Sequence, residues 1–266
     1  MAGDYLMAGQ QSELERLQLQ SRVWEPAGHA LLARLSSGTG LRALDVGCGA
    51  MGWLRALSAW VGPSGTVVGT DINRDLLAAA RAFVAAEALP NVELMEDDLF
   101  ASALPGGSFD LVHARFQLAP IGRAAEQLAS YRRLVRPGGW LVLEDPDAAS
   151  WHFNPPAPAA ERLISLILDA FRAGGGDFDA GRSLRGHLVG LGIESTLDAH
   201  VLVLPPGHPY LRLPLQFAKS LTPRIEPIIG PDALASLRAE VEEELVSPAR
   251  WGTTFTLLQA YGRVPG

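Results

Sequence analysis

The stretch that decides the fold is Leu44-Asp45-Val46-Gly47-Cys48-Gly49-Ala50-Met51-Gly52. An apolar run leads into glycines at 47, 49 and 52, spaced G-x-G-x-x-G, and a helix is predicted from about Met51 to Val61. A strand that ends in residues without side chains, ahead of a helix, forms a tight turn whose backbone N–H groups a ligand can approach closely. Asp71 ends the next strand, and a carboxylate there can accept from both hydroxyls of a ribose. A lone glycine triplet is a weak signal. Strand, glycines, helix, strand and acid in register make an adenosine-bearing ligand the expected occupant.

Working outward, short apolar strands recur at Leu41 to Val46, Thr66 to Thr70, Val92 to Met95, Phe109 to Ala114 and Trp140 to Glu144. Asn73 caps a helix with Leu76, Ala80 and Phe83 on one stripe. Ile121 to Val135 reads as another helix, broken by Pro137-Gly138-Gly139. Strand and helix alternate at the spacing of a parallel sheet covered on both faces. Ahead of this, Ser12-Glu13-Leu14-Glu15 is a capping box that opens an amphipathic helix to Trp24. Pro26 starts a second helix through Leu35, and Met1 to Gln11 form an arm.

The second half is less regular. Helices are predicted over Ala157 to Ala173, Ser183 to Leu191 and Asp232 to Val246, with strands at Ser195 to Leu204 and Thr253 to Tyr261. The two strands suggest an antiparallel edge that carries an insertion, and Pro205 to Leu215 is Pro-rich. The expected organisation is therefore a single domain over 1–266, with an N-terminal helical cover over 1–40 and a substrate lid over 205–248.

Composition excludes several classes. The chain has 266 residues, 48% apolar and 19% charged, so it buries a full core and is neither disordered nor a coiled coil. Its net charge of -7 repels phosphate backbones, and Lys219 is its one lysine, so nucleic acid is not an expected partner. Cys48 stands alone, which rules out an internal disulfide and a Cys-rich zinc site and suits a reducing compartment. No secretory leader or spanning segment is read, so the expectation is a soluble, cytoplasmic protein without membrane contacts.

Asp45 discriminates between adenosine ligands. It sits inside the strand, two residues before Gly47. A buried carboxylate there needs donors or a cation, suits the ammonium of an amino-acid moiety and repels a pyrophosphate. A nicotinamide-dependent oxidoreductase is the competing reading. It lacks support from Asp45 and from any Tyr-x-x-x-Lys motif.

Taken together, Leu-Asp-Val-Gly-Cys-Gly (44–49), Gly-Thr-Asp-Ile-Asn (69–73), Asp98-Leu99, Ser-Phe-Asp-Leu-Val-His-Ala-Arg (108–115) and Leu-Val-Arg-Pro-Gly-Gly-Trp-Leu (134–141) resemble the class I, Rossmann-like S-adenosylmethionine-dependent methyltransferases, in the small-molecule branch. The resemblance covers Leu41 to Asp147, and the closing Ala-Tyr-Gly-Arg-Val-Pro (260–265) is similar to that branch's last strand. It implies an α/β fold: a doubly wound, seven-stranded, mostly parallel sheet whose antiparallel last strand lies between the fifth and sixth. It implies S-adenosyl-L-methionine as cofactor. Gly47, Cys48 and Gly49 would pack on its methionine end and ribose, Asp71 would hold the ribose hydroxyls and Ile72 would cover the adenine. Asp98 would meet the adenine amine, with Leu99 beside it. Ala114 would offer a carbonyl to the ammonium, Arg115 would follow it into the pocket, and Tyr5 and Gln20 would cover the ligand. Met51 departs from the small pair usual there and would narrow the pocket.

The implied reaction is methyl transfer to a small, partly apolar acceptor through oxygen, nitrogen or carbon, in bacterial secondary metabolism. The donor is already activated, so the protein mainly supplies alignment. Where a base is needed, Glu144 and His152 are the candidates at the opening of the fifth strand, and His113 is read as packing. No metal is expected. A homodimer is compatible with this reading. A member that binds the cofactor without transferring its methyl would carry the same motifs.

Overall fold

The computed structural model describes residues 11–266; Tyr5 and the arm before Gln11 lie outside them. In chain order the elements begin with α1 (Gln11–Leu32), β1 (Arg42–Val46), α2 (Leu54–Val61), β2 (Thr66–Asp71), α3 (Arg74–Ala86) and β3 (Val92–Glu96). They continue through β4 (Phe109–Arg115), α4 (Leu118–Ile121), α5 (Ala124–Leu134) and β5 (Val135–Asp147). The second half holds β6 (Phe153–Asn154), α6 (Pro158–Ala173), α7 (Leu184–Gly190), β7 (Ser195–His200) and β8 (Val203–Leu204). It closes with α8 (Leu213–Ser220), α9 (Thr222–Ile229), α10 (Pro231–Leu245), β9 (Trp251–Thr253) and β10 (Thr256–Arg263).

Seven strands form one sheet in the order β3-β2-β1-β4-β5-β10-β7. Neighbours from β3 to β5 are parallel, and β10 runs antiparallel between β5 and β7. The strand order reverses between β1 and β2 on one side and β4 on the other. This is the switch point where α/β sheets open a crevice at the strand ends. One face of the sheet packs a core of Leu44, Val112, Tyr131 and Leu184 under α5 and α7. The other packs Trp53, Leu57, Val67 and Leu77 under α1, α2 and α3. Asn73 caps α3 as its sequence predicts, accepting from the N–H groups of Asp75 and Leu76.

Four local expectations are corrected. Pro26 does not begin a new helix: α1 runs through it as one rod. An internal proline costs about 3 kcal/mol, and the fully buried Trp24 together with Leu31 and Leu32 packs the rod on both sides of it. Pro137-Gly138-Gly139 does not precede the fifth strand but lies within β5. Phe109 pairs with Val135, whereas Leu111 pairs with Trp140, so these residues loop out of register as a bulge. The helix expected over 121–135 is α5, which starts only at Ala124, because Gly122, with a φ of +64°, ends the short α4 before it. The strand expected over 195–204 splits after β7. Leu202 exchanges hydrogen bonds with Thr254, and β8 joins a second sheet of order β6-β9-β8.

The insertion between the last strands of the sheet is helical. Pro209, Pro214, Pro223 and Pro231 stand in first turns, where the missing N–H has no intrahelical partner to lose. Helices α8, α9 and α10 pack on α6 and α1 around a third core. Its centre is aromatic. The Phe255 ring lies 5.4 Å from Trp24, 5.7 Å from Phe116, 6.0 Å from Trp151 and 5.4 Å from Phe178. Trp24 Nε1 donates to the Tyr210 hydroxyl at 3.1 Å, which binds α1 to the insertion.

Candidate active site

The crevice at the switch point is a cavity of about 640 Å³. The glycine turn forms its floor, and Gly47, Cys48 and Gly49 all line it. At Gly49 the backbone has a φ of +56°, and a Cβ there would meet nothing within 4 Å, so the turn leaves open space for a ligand. Gly52 is glycine for another reason. A Cβ there would overlap Asp45 Oδ2, which accepts from the N–H of Trp53 at 2.7 Å.

Asp71 sits at the end of β2 and braces the turn. One oxygen accepts from Gly49 N at 2.9 Å and the other from Asn73 N at 2.8 Å. Burial raises its carboxyl above the ordinary range, and these backbone donors oppose the rise. Ile72 follows it, 44% exposed and on the cavity wall, an apolar face turned to open space. Across the gap stand Asp98, whose side chain caps the next turn by accepting from Phe100 N at 2.9 Å, and Leu99.

Behind the turn lies a buried polar chain. Asp45 Oδ1 meets His113 Nδ1 at 2.7 Å, and His113 Nε2 meets Glu144 Oε2 at 3.0 Å. Glu144 Oε1 accepts from Gln259 Nε2 at 2.5 Å. The Trp53 ring stacks on His113 at 3.8 Å. Burial works against charge on His113, but the Asp45 and Glu144 carboxylates outweigh it and raise its pKa. Burial would raise the Glu144 carboxyl, and His113, Arg115 and Gln259 reverse this and lower it. Each Asp45 oxygen has one protein partner, Trp53 N and His113 Nδ1, and Asp45 also lines the cavity.

The residues expected at the cofactor separate clearly. Gln20 and Arg115 line the cavity with the turn, Asp71, Ile72, Asp98 and Leu99. Ala114 is buried within β4 and is not part of the lining. Met51 is buried and does not narrow the cavity. The two expected bases are corrected. Glu144 has no exposed surface, and its oxygens face His113, Gln259 and Arg115. A base must present a lone pair to the proton it takes, and this one is enclosed. His152 is exposed, meets Ala149 O at 2.8 Å and does not line the cavity.

Several lining residues have no individual sequence signal. Phe116 and Gln117 follow β4 directly, so the motif ending at Arg115 could have been extended to them. Phe116 has a φ of +55°, a strained setting for a bulky residue that marks the site. Gln117 Nε2 donates to Gly47 O at 3.3 Å. Leu17, Ile121 and Arg224 reach the cavity from α1, α4 and α9, and only the tertiary fold brings them there.

At the far end the cavity shares Leu17, Gln20, Phe116 and Pro120 with a small pocket of about 30 Å³. Phe171, Phe178, Phe217 and Phe255 wall it, with Arg16 at its side. Arg16 is itself buried, paired with Glu13 at 2.6 Å and donating to Gln20 Oε1 at 2.5 Å.

Comparison with known proteins agrees with this geometry. Residues 43–139 match the methyltransferase-domain family. The demethylmenaquinone methyltransferase of Lactococcus lactis is 35% identical over 111 residues, 42% of this chain and 44% of that protein. The nocamycin O-methyltransferase of Saccharothrix syringae is 37% identical over 123 residues, 46% of this chain and 44% of that protein. The chain thus spans less than half the length of these curated relatives. Among solved structures, a SAM-dependent methyltransferase from Aquifex aeolicus superposes with a TM-score of 0.55 at 21% identity, over 74% of this chain and 93% of that one. Residues 43–139 are thus similar to the methyltransferase-domain family, and the chain shares the fold of the solved Aquifex aeolicus structure.

Proposed function

We propose that this protein transfers a methyl group from S-adenosylmethionine to a small, partly apolar molecule. One observation carries the reading: a single cavity is polar and backbone-lined at one end and apolar at the other, where it meets an aromatic pocket. The polar end fits the cofactor. Gly49 leaves room against the turn, Asp71 presents carboxylate oxygens for ribose hydroxyls, Ile72 offers an apolar face to an adenine, and Asp98 and Leu99 close its other edge. Gln20 covers the cavity from α1.

When bound, the cofactor supplies a methyl already activated on a sulfonium. The protein's own part is alignment, which is worth about 7–11 kcal/mol in well-oriented reactions. Phe116 and Pro120 stand where the two ends meet and exclude water from the line of transfer. Among the described residues, the apolar end presents no histidine or carboxylate to the cavity. Arg224, which lines the cavity and has no ion-pair partner among the described residues, favours an acidic acceptor oxygen. The likenesses to enzymes named for menaquinone and nocamycin substrates support a small-molecule acceptor, and the second supports secondary metabolism.

Calorimetric titration with S-adenosylhomocysteine tests the cofactor half; no heat at millimolar ligand would sink it. A gain of one methylene mass on a small phenol or enol, lost with Asp71→Ala, tests transfer. Cofactor binding without any such gain across an acceptor panel would favour a structural use of the cofactor.

A further inference from the structure

We propose that the small aromatic pocket is the blind end of the acceptor site, that it takes a methyl- or ethyl-sized substituent, and that Phe217 sets the length limit. The proposal rests on the acceptor reading above and deepens it by naming a substrate class: a phenol or enol that carries one short alkyl branch. The pocket adjoins the main cavity at Leu17, Gln20, Phe116 and Pro120. Its volume of about 30 Å³ is room for about two non-hydrogen atoms, since one water needs about 10–15 Å³. Water is a poor occupant. Phe116, Phe171, Phe178, Phe217 and Phe255 supply most of the wall, and a buried water needs several polar partners. An apolar space of this kind stays dry and accepts an apolar guest.

Two features keep the space from closing and make its length definite. First, the rings brace one another edge to face. Phe171 lies 5.3 Å from Phe178, and Phe178 lies 5.8 Å from Phe217 and 5.4 Å from Phe255, with interplanar angles of 84°, 82° and 85°. Aromatic pairs prefer this arrangement, so a ring turns into the gap only by giving up several contacts. Second, Phe217 is pinned by a buried ion pair. The Arg16 guanidinium lies over its ring, 4.6 Å from the centroid. Glu13 accepts from Arg16 Nε at 3.0 Å and Nη2 at 2.6 Å, and Gln20 Oε1 accepts from Nη1 at 2.5 Å. Glu13 also accepts from Ser220 Oγ at 3.0 Å, which ties α1 to α8, the helix that carries Phe217. A wall tied in this way stops a growing alkyl chain, because a packed core resists added methylenes. The same guanidinium repels a cationic branch, which leaves alkyl as the fitting substituent.

The test has two arms, both on the full chain. Crystals held under xenon pressure should show xenon among Phe116, Phe178 and Phe217. Its absence there overturns the proposal, needs no acceptor and leaves the methyl-transfer reading intact. The second arm is calorimetry with S-adenosylhomocysteine bound, titrating phenol and its 4-methyl, 4-ethyl, 4-propyl and 4-butyl derivatives. Affinity should rise by about fourfold per carbon through the ethyl member, the weight of one buried methylene, and then fall by about tenfold or more at the butyl member. Phe217→Leu should move the maximum to a longer chain and leave the affinity for S-adenosylhomocysteine within about twofold. Affinity that climbs without a break to the butyl member shows that there is no end wall and overturns the proposal. A maximum that Phe217→Leu does not move removes Phe217 as the stop. If that variant does not fold, xenon and the wild-type series decide between the same outcomes. Failure of every phenol to bind the S-adenosylhomocysteine complex overturns the acceptor class, whereas failure of S-adenosylhomocysteine itself to bind sinks the cofactor reading.

Discussion

At the cofactor end of the cavity the lining comes from strand ends and the turns that leave them; at the acceptor end it comes from helices α1, α4 and α9 and the aromatic residues packed behind them. The first is held by short polar contacts to backbone, such as Asp71 to Gly49 and Asn73. The second is held by ring packing around Phe255. Directional bonds on a sheet fix one ligand pose. Apolar packing fixes a volume and tolerates changes of shape. Under the proposed function, that division suits a common donor and a variable acceptor.

The largest expected effect breaks the acceptor side. Phe255→Ala should cost about 3–5 kcal/mol of stability, read from the denaturant midpoint, because it removes the ring at the centre of the aromatic core. Affinity for S-adenosylhomocysteine should change little in the folded fraction. Asp71→Ala is the converse. Cofactor affinity should fall on the order of 100-fold, about 3 kcal/mol, as the acceptors for the ribose hydroxyls disappear, with a smaller loss of stability. If Asp71→Ala left affinity within a few-fold, the division of labour would be wrong.

A third effect separates the two by pH. Burial pushes the Asp145 carboxyl up to about 8 from its ordinary 3.8; the N–H groups of Ala119 and Leu118 oppose the rise and neighbouring Glu144 adds to it. A group raised by folding binds its proton more tightly in the native state. Its stabilisation is therefore full below about pH 4 and is lost as pH climbs towards 8, at no more than about 1.4 kcal/mol per pH unit. Asp145→Asn should remove that slope in thermal melts and leave the weaker decline from His113, which has the same sign above about pH 6.5. The smallest effect is at the rim. Arg34 pairs with Asp198 while half-exposed, so Arg34→Ala should leave the denaturant midpoint almost unchanged, and any shift should shrink in high salt.

The contrast also explains what could be read in advance. The cofactor end is made of residues contiguous in sequence, 44–49, 69–73 and 98–99, where backbone geometry demands particular residue types. The acceptor end unites Leu17, Phe116, Phe178 and Arg224, and no local pattern marks residues that meet only after α1 and α9 fold over the sheet. Glu144 was legible as a strand-end acid, but its burial was not. That depends on Gln259, brought alongside by the antiparallel pairing of β10 with β5. The misread start of β5 has a similar cause: a bulge makes Pro137 and the two glycines compatible with a strand that local propensity would end.

The overlap between Asp45 and position 52 has a consequence for anyone who would rebuild this turn. The third glycine has a φ of +45°, and a Cβ there would overlap Asp45 Oδ2 as well as Cys48 O, so positions 45 and 52 are sterically coupled. Gly52→Ala should be damaging alone and rescued in part by Asp45→Ala, a coupling that a double-mutant cycle would read directly. Transplanting the G-x-G-x-x-G segment between proteins without residue 45 would carry over the spelling of the motif and leave its grammar behind.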